Sequence, residues 1–363
     1  MTIKSEDKMK KELKMKLTKI IIPIVFTLLI VFSCTKKEAT YKQYDLNGIR
    51  ITENSTTPAD STFRIELKEV GFIDMENETD SNRYISMIAN IDIDSEGNLY
   101  IMDIMKRIIH KYDKNCNFVK TFGRMGNGPG EFEYPGTINV RKDSIFIPNL
   151  TTLQIIKYDT DGNFIVNKRM NDVSKFPSYP KKFGKRYVSE SINILPDEEK
   201  GIVMYEDINL YDSRFNFIKY LYKNEYYANA GETDELVEKA LVITFNDSLL
   251  YVYEKSIDKY QIDVFDNEGI KVGEIRKNYR RIKDTHDSYV HSVTSMVTDK
   301  YGRLWIEIYD EADPKKYVYD VFDNDIFINR VVLDIEEGYY RYFVEDKLVA
   351  VNRDNNNVKV YEY

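Results

Sequence analysis

Short apolar runs, each closed by Gly, Asn, Asp or Ser, follow one another along most of this chain, and no sustained 3.6-residue period accompanies them. The stretch from Ile91 to Phe132 is the most legible. Ile91–Asp94, Asn98–Met102 and Ile108–Tyr112 alternate or concentrate apolar residues, as half-buried strands do. Turn chemistry closes them: Asp94-Ser-Glu-Gly97 after the first and Asp113-Lys-Asn after the third. Gly supplies the positive φ such turns need, and Asp or Asn bonds its own backbone. A fourth run, Phe118–Phe122, leads into a glycine-rich segment from Gly123 to Gly130. Four antiparallel strands in about forty residues is the size of one β-propeller blade.

The unit recurs. An aromatic-acidic pair ends the third strand at Tyr112-Asp113, Tyr158-Asp159, Tyr211-Asp212, Phe265-Asp266 and Phe322-Asp323, with a variant at Tyr361-Glu362. The intervals between pairs are 46, 53, 54, 57 and 39 residues, a drift that fits divergent blades with loop insertions better than a tightly spaced solenoid. The predicted fold is therefore all-β: a six-bladed β-propeller of four-stranded antiparallel blades. The sixth unit stops at Tyr363, after its third strand. An open ring would expose an unpaired edge. Phe63–Val70, which alternates cleanly, is expected to close the last blade from the N-terminal side.

Three segments are expected. Residues 1–33 read as an export signal: Lys-rich flanks precede an apolar run, Ile20 to Phe32, too short for a membrane span of about 20 residues. Residues 34–60 are polar and poor in large aliphatics, and read as a flexible tether. Residues 61–363 are the propeller. Val31-Phe32-Ser33-Cys34 resembles a bacterial lipobox, which implies lipid attachment at Cys34, although Phe32 stands where the pattern has a small residue. The other cysteine, Cys116, occupies a turn position that is Gly162 or Gly269 in other units, so no disulfide is expected.

The first 33 residues carry seven Lys and three Asp or Glu, so without them the formal net charge of −8 becomes −12. An acidic domain on a membrane tether argues against nucleic acid as a partner. The 29 Tyr and 18 Phe suit β-structure. One helical suggestion, Thr233–Lys239, lies between the third and fourth units.

From about Phe63 to Tyr363 the chain resembles the six-bladed β-propeller lipoproteins of Bacteroides-type bacteria, relatives of the NHL-repeat and TolB-like propellers. The residues that carry this are Asp94-x-x-Gly97-Asn98-Leu99-Tyr100, the Tyr112-Asp113 pair, and Phe122-Gly123-Arg124-x-Gly126-x-Gly128-Pro129-Gly130-Glu131-Phe132. The last is close to the segment that joins NHL-type blades. The resemblance implies the fold and a place in the cell envelope, at the outer membrane, but many such proteins have no assigned activity.

Candidate chemistry is sparse. Gly126-x-Gly128-x-Gly130 lacks the spacing of either nucleotide fingerprint and precedes no helix, so a tight crossover between blades is the expected role. His110 falls inside a strand. His286 and His291 bracket Asp287 without an evident third ligand, so no metal site is assigned. No nucleophile elbow or triad is apparent, and no catalytic residue or cofactor is expected. Positive charge concentrates in two crossovers: Lys181, Lys182 and Arg186 in one, Arg276, Arg280 and Arg281 in the other, both interleaved with aromatics. Loops between second and third strands add Arg107 and Arg353. If these share one face, they would rim the hub with a surface for an anionic glycan or peptide, or an envelope protein. The expected function is thus a non-catalytic, lipid-anchored binding module. The alternative is a hub-centred, metal-dependent hydrolase or lyase acting on a sugar or lactone, since propellers host both.

Overall fold

The computed structural model describes residues 39–197, 201–228, 241–283, 288–352 and 354–363. The chain divides into Met1–Ala39 and Thr40–Tyr363, and the expected signal segment, Cys34 and the suggested helix at 233–239 lie outside the described residues.

The second unit is an all-β ring of six blades. Blade 1 runs Ile88–Ile93, Leu99–Asp103, Ile108–Tyr112, Phe118–Phe122. Blade 2 runs Asn139–Arg141, Ser144–Asn149, Gln154–Asp159, Phe164–Arg169. Blade 3 runs Lys181–Phe183, Arg186–Asp197, Gly201–Tyr211, Phe217–Ala228. Blade 4 runs Leu241–Phe245, Leu249–Glu254, Gln261–Asp266, Lys271–Lys277. Blade 5 runs Ser295–Thr298, Leu304–Ile308, Tyr317–Asp323, Ile326–Leu333. Blade 6 has Tyr339–Val344, Lys347–Asn352 and Val358–Glu362, and takes its outer strand, Lys68–Ile73, from the N-terminal side.

The aromatic-acidic pairs now have a physical meaning. In every blade the aromatic residue sits at a β-bulge: Tyr112, Tyr158, Tyr211, Phe265, Phe322 and Tyr361 all mark a register shift against the outer strand. The bulge bends the strand and turns the ring into the blade interface, where all six rings are buried. The acid that follows closes the turn. Asp113 Oδ1 accepts the N–H groups of Asn115 and Asn117, and Asp159, Asp212 and Asp266 accept the N–H four residues ahead in the same way. The residue just before that donor takes φ near +60 to +80: Cys116 +63, Gly162 +78, Phe215 +62, Gly269 +69. Cys116 is thus a strained stand-in for glycine.

Among the described residues the core is divided. Six apolar clusters each fill one interface between adjacent blades, such as Tyr100, Phe122, Phe132 and Ile147 between blades 1 and 2, or Trp305, Tyr319, Leu348 and Tyr361 between blades 5 and 6. Ring closure therefore completes the sixth interface rather than merely tidying an edge.

Two expectations need correction. Ladder pairing in the closing strand begins at Lys68, opposite Glu362, and ends at Ile73, opposite Val358, not at Phe63–Val70. The alternation of Phe63, Ile65 and Leu67 has another cause: these side chains pack on the cluster between blades 5 and 6 as unpaired extended chain. The tether expected over 34–60 is also not one throughout. Tyr41–Leu46 and Ile49–Asn54 form a hairpin whose second strand pairs in parallel with the outer strand of blade 4, making that sheet six-stranded. Asn54 fastens it, donating to the carbonyls of Arg276 (3.2 Å) and Asp325 (3.0 Å) and accepting from the N–H of Phe327 (2.8 Å). Backbone pairing, the buried Asn54 amide, the buried Ile51 and an Arg50–Asp325 ion pair (2.6 Å) hold this hairpin, and with so few apolar side chains involved hydropathy does not reveal it.

Candidate functional site

The six inner strands line an axial channel of about 470 Å³. Side chains bridge neighbouring inner strands: Asn90 Oδ1 accepts the Ile138 N–H (2.9 Å), Asp92 Oδ2 accepts the Val140 N–H (2.6 Å), and Thr298 Oγ1 donates to the Phe245 carbonyl (2.7 Å).

Charge in the wall is unevenly compensated. Arg141, Lys181, Lys182 and Arg341 line the channel, against Asp92, Glu307 and Glu345. Arg341 and Glu307 form an ion pair, steadied by Ser295 Oγ donating to Glu307 (2.6 Å) and by Arg341 Nε donating to Tyr319 (3.1 Å). Arg141 lies over the Tyr187 ring, 5.6 Å from its centre. Lys181, Lys182 and Arg141 make no ion pair among the described residues. Lys181 reaches channel water yet is ringed by protein, and this desolvation lowers its pKa, with nearby Glu190 opposing. Burial pushes the Asp92 carboxyl up to about 7, against the donated amides of Val140 and Ile93; Glu345 adds to the rise and Lys182 opposes it. At and below neutral pH the channel therefore carries a positive surplus.

Behind Lys181 stands a carboxyl pair. Glu190 and Glu206 lie on the second and third strands of blade 3, and Glu206 accepts the Leu241 N–H (2.9 Å). Burial first, and the hydrogen bond and charge of Glu206 next, raise the Glu190 carboxyl well above its usual range. Two such groups in one dry space cannot both ionise freely.

The structure disperses the cations expected to rim one face. Lys181 and Lys182 are inner-strand residues of the channel, not crossover residues. Arg186 starts the second strand of blade 3 and pairs with Glu268 (3.2 Å), in the turn after the third strand of blade 4; both belong to hairpin turns, at the end of the ring opposite the crossovers. Arg276 is held by Glu274 and lies 3.7 Å from Glu53 of the N-terminal hairpin. Arg280 pairs with Glu311, and Arg281 with Asp258. Arg107, at φ +57, donates to the Glu133 and Met105 carbonyls (3.1 and 2.8 Å). Arg353 and His286 lie outside the described residues. Asp92, Arg141, Glu307 and Arg341 escaped the sequence reading. For Asp92, Arg141 and Arg341 the available signal was a charged residue inside the first strand of a unit, which faces the hub; Glu307 lies on the second strand of blade 5 and carried no such signal.

The other candidates take structural roles. Within the glycine segment, Glu131 folds back so that its carboxylate accepts the Gly128 N–H (2.9 Å) and pairs with Arg124. A Cβ on Gly126 would stand 2.1 Å from that carboxylate, so the loop's own acid fills the place a phosphate would need. His110 is fully buried, with Nε2 3.9 Å from Asp103. Burial pushes the Cys116 thiol up to about 11, the Asp113 charge adding to it, which leaves little thiolate for chemistry. Among the described residues no cluster of three or more metal-ligating side chains occurs.

Comparison with known proteins bears on the fold. The family described as 6-bladed beta-propeller (DUF5128) matches residues 47–351. A putative exported protein of Bacteroides fragilis is similar in structure at a TM-score of 0.51 and 13% identity, over 86% of this chain and 98% of that one. A member of the DUF4221 family from Bacteroides vulgatus is similar at 0.48 and 12% identity, over 82% and 97%. Virginiamycin B lyase of Staphylococcus aureus is similar at 0.45 and 10% identity, over 82% and 99%. A search of curated proteins gave no match.

Proposed function

The chain belongs to that six-bladed β-propeller family, and on this premise we propose that it is a binding protein of the cell envelope whose axial channel receives an anionic group. The ligand class is an acidic glycan or the carboxylate end of a peptide. One observation carries the reading: among the described residues Lys181, Lys182 and Arg141 line the channel without ion-pair partners, while Asp92 holds a proton to about pH 7. Unpaired cations in a narrow wall attract an anion more strongly than the same charges on an open surface. The export-like run at 1–33 and Cys34 support a lipid anchor. The sequence motifs quoted above support kinship with the NHL-type and TolB-like propellers.

Calorimetry at low salt with glucuronate and with inorganic phosphate tests the reading. Lys182→Met is expected to weaken binding by about tenfold or more, near 1.4 kcal/mol. Unchanged affinity in Lys182→Met, or indifference of the protein to both anions, would sink it.

A second reading has its own support. The Glu190 carboxyl, held protonated beside Lys181, is a perturbed acid of the kind that catalysis uses. A stoichiometric divalent ion in the purified protein, with melting lowered by a chelator, would favour the hydrolase or lyase.

A further inference from the structure

A second cavity, of about 850 Å³, lies between blades 4 and 5 at the end of the ring where the crossovers run. Its floor holds an ionic group set where apolar packing would be the ordinary solution. Asp320, on the third strand of blade 5, is fully buried, and Lys277, the last residue of blade 4's outer strand, has a side chain only 4% exposed. Burying two charges costs several kcal/mol per ion before their attraction is counted, and well-packed hydrophobic residues often serve stability as well. Asp320 is saturated: it accepts from Lys277 (2.6 Å), Arg330 Nε (2.9 Å) and Tyr260 (3.2 Å). Lys277 is not. Its ammonium has three donors. It donates to Asp320 and rests against the Phe327 ring, 3.8 Å from its centre, with no other hydrogen bond among the described residues. A buried, half-used ammonium in a cavity wall is a donor waiting for an acceptor.

The charge balance of this cavity differs from that of the channel. Lys277, Arg280 and Arg330 meet Asp310, Glu311 and Asp320 in its lining, three against three. Arg280 is paired with Glu311, and Arg330 with Asp320. The described lining thus carries no net charge to draw in an ion. Tyr260, Tyr279 and Tyr309 stand among these groups and supply apolar ring surface. We propose that this cavity binds a neutral, hydroxyl-rich ligand, a mono- or disaccharide, whose hydroxyl oxygens accept from Lys277 while its ring packs on tyrosine. Pockets of this volume that join aromatic walls to a few fixed polar groups suit ligands of that size. The site is separate from the channel and does not depend on the anion reading.

Saturation-transfer NMR and calorimetry on the folded protein, with glucose, galactose, N-acetylglucosamine and cellobiose as probes and glucuronate as the charged control, test the proposal. A neutral sugar should bind, lose about tenfold or more in affinity in Tyr279→Ala, and bind Lys182→Met unchanged. Lys277→Met strands Asp320 and risks misfolding, so Lys277→Met/Asp320→Leu serves as the second variant and should abolish binding while keeping the native melting profile. No binding by any neutral probe at about 10 mM, or binding that survives both variants, overturns the proposal. Neutral-sugar binding that is lost only in Lys182→Met also overturns it, because it would place the sugar in the channel.

Discussion

Asp92→Asn separates the channel's electrostatics from its architecture. In the folded chain Asp92 holds its proton to about pH 7, against an ordinary value of 3.8. Between these values the folded chain keeps a proton that the unfolded chain has given up. Stability therefore falls as pH rises through this window and levels off above about 7. At about 1.36 kcal/mol per unit, the full difference would be roughly 4 kcal/mol. Water in the channel reaches the half-buried carboxyl, so a realistic penalty is about 1–2 kcal/mol. Asparagine is neutral at every pH and keeps an oxygen that can accept the Val140 N–H. The variant should match the parent near pH 4 and exceed it by about 1–2 kcal/mol at pH 8. The difference between the two curves isolates Asp92 from the Glu190 pair, which titrates in both proteins. Urea denaturation from pH 4 to pH 8.5 reads this directly. Parallel curves, or a variant less stable at pH 8, would refute the reasoning. The same proton bears on binding: as Asp92 ionises, the positive surplus shrinks, so anion affinity should weaken through pH 7 more steeply in the parent than in the variant.

Other outcomes follow from the packing. Asp299 accepts four donors, the N–H groups of Tyr301 and Arg303, Arg303 Nε and Trp305 Nε1, so Asp299→Ala should cost about 3 kcal/mol in thermal or chemical unfolding. A loss under about 1 kcal/mol would show that water replaces the carboxylate there. Gly71, in the closing strand, would place a Cβ 2.3 Å from Cys116 Sγ. Gly71→Ala is expected to cost about 1–3 kcal/mol, and Cys116→Gly should recover most of it. Additive effects in that double-mutant cycle would mean that the two residues do not meet.

Much of this architecture was legible because it is written locally. The aromatic-acidic pair specifies a bulge and the turn after it within a few residues, and five of the turns announce themselves by Gly, Asn or Asp in the right place. Phe63–Leu67 shows the limit of such reading: alternation reports which side chains are buried, not whether the backbone between them is paired. The N-terminal hairpin shows another. Its attachment rests on main-chain bonds and on Arg50 and Asn54, which meet partners more than two hundred residues away.

The candidate sites were less legible for the same reason. Basic residues could be counted, but pairing decides what a charge does: Arg186, Arg280 and Arg281 each find an acid on another segment, and Arg276 is held by Glu274 of its own strand. The sequence by itself determined the blade, its repetition and the need to close the ring, because bulges, turns and alternating burial arise from neighbours along the chain. The tertiary structure alone decided which charges remain uncompensated in the channel, and which ammonium lies buried between blades 4 and 5. Those properties belong to distances between strands that only the closed ring brings together.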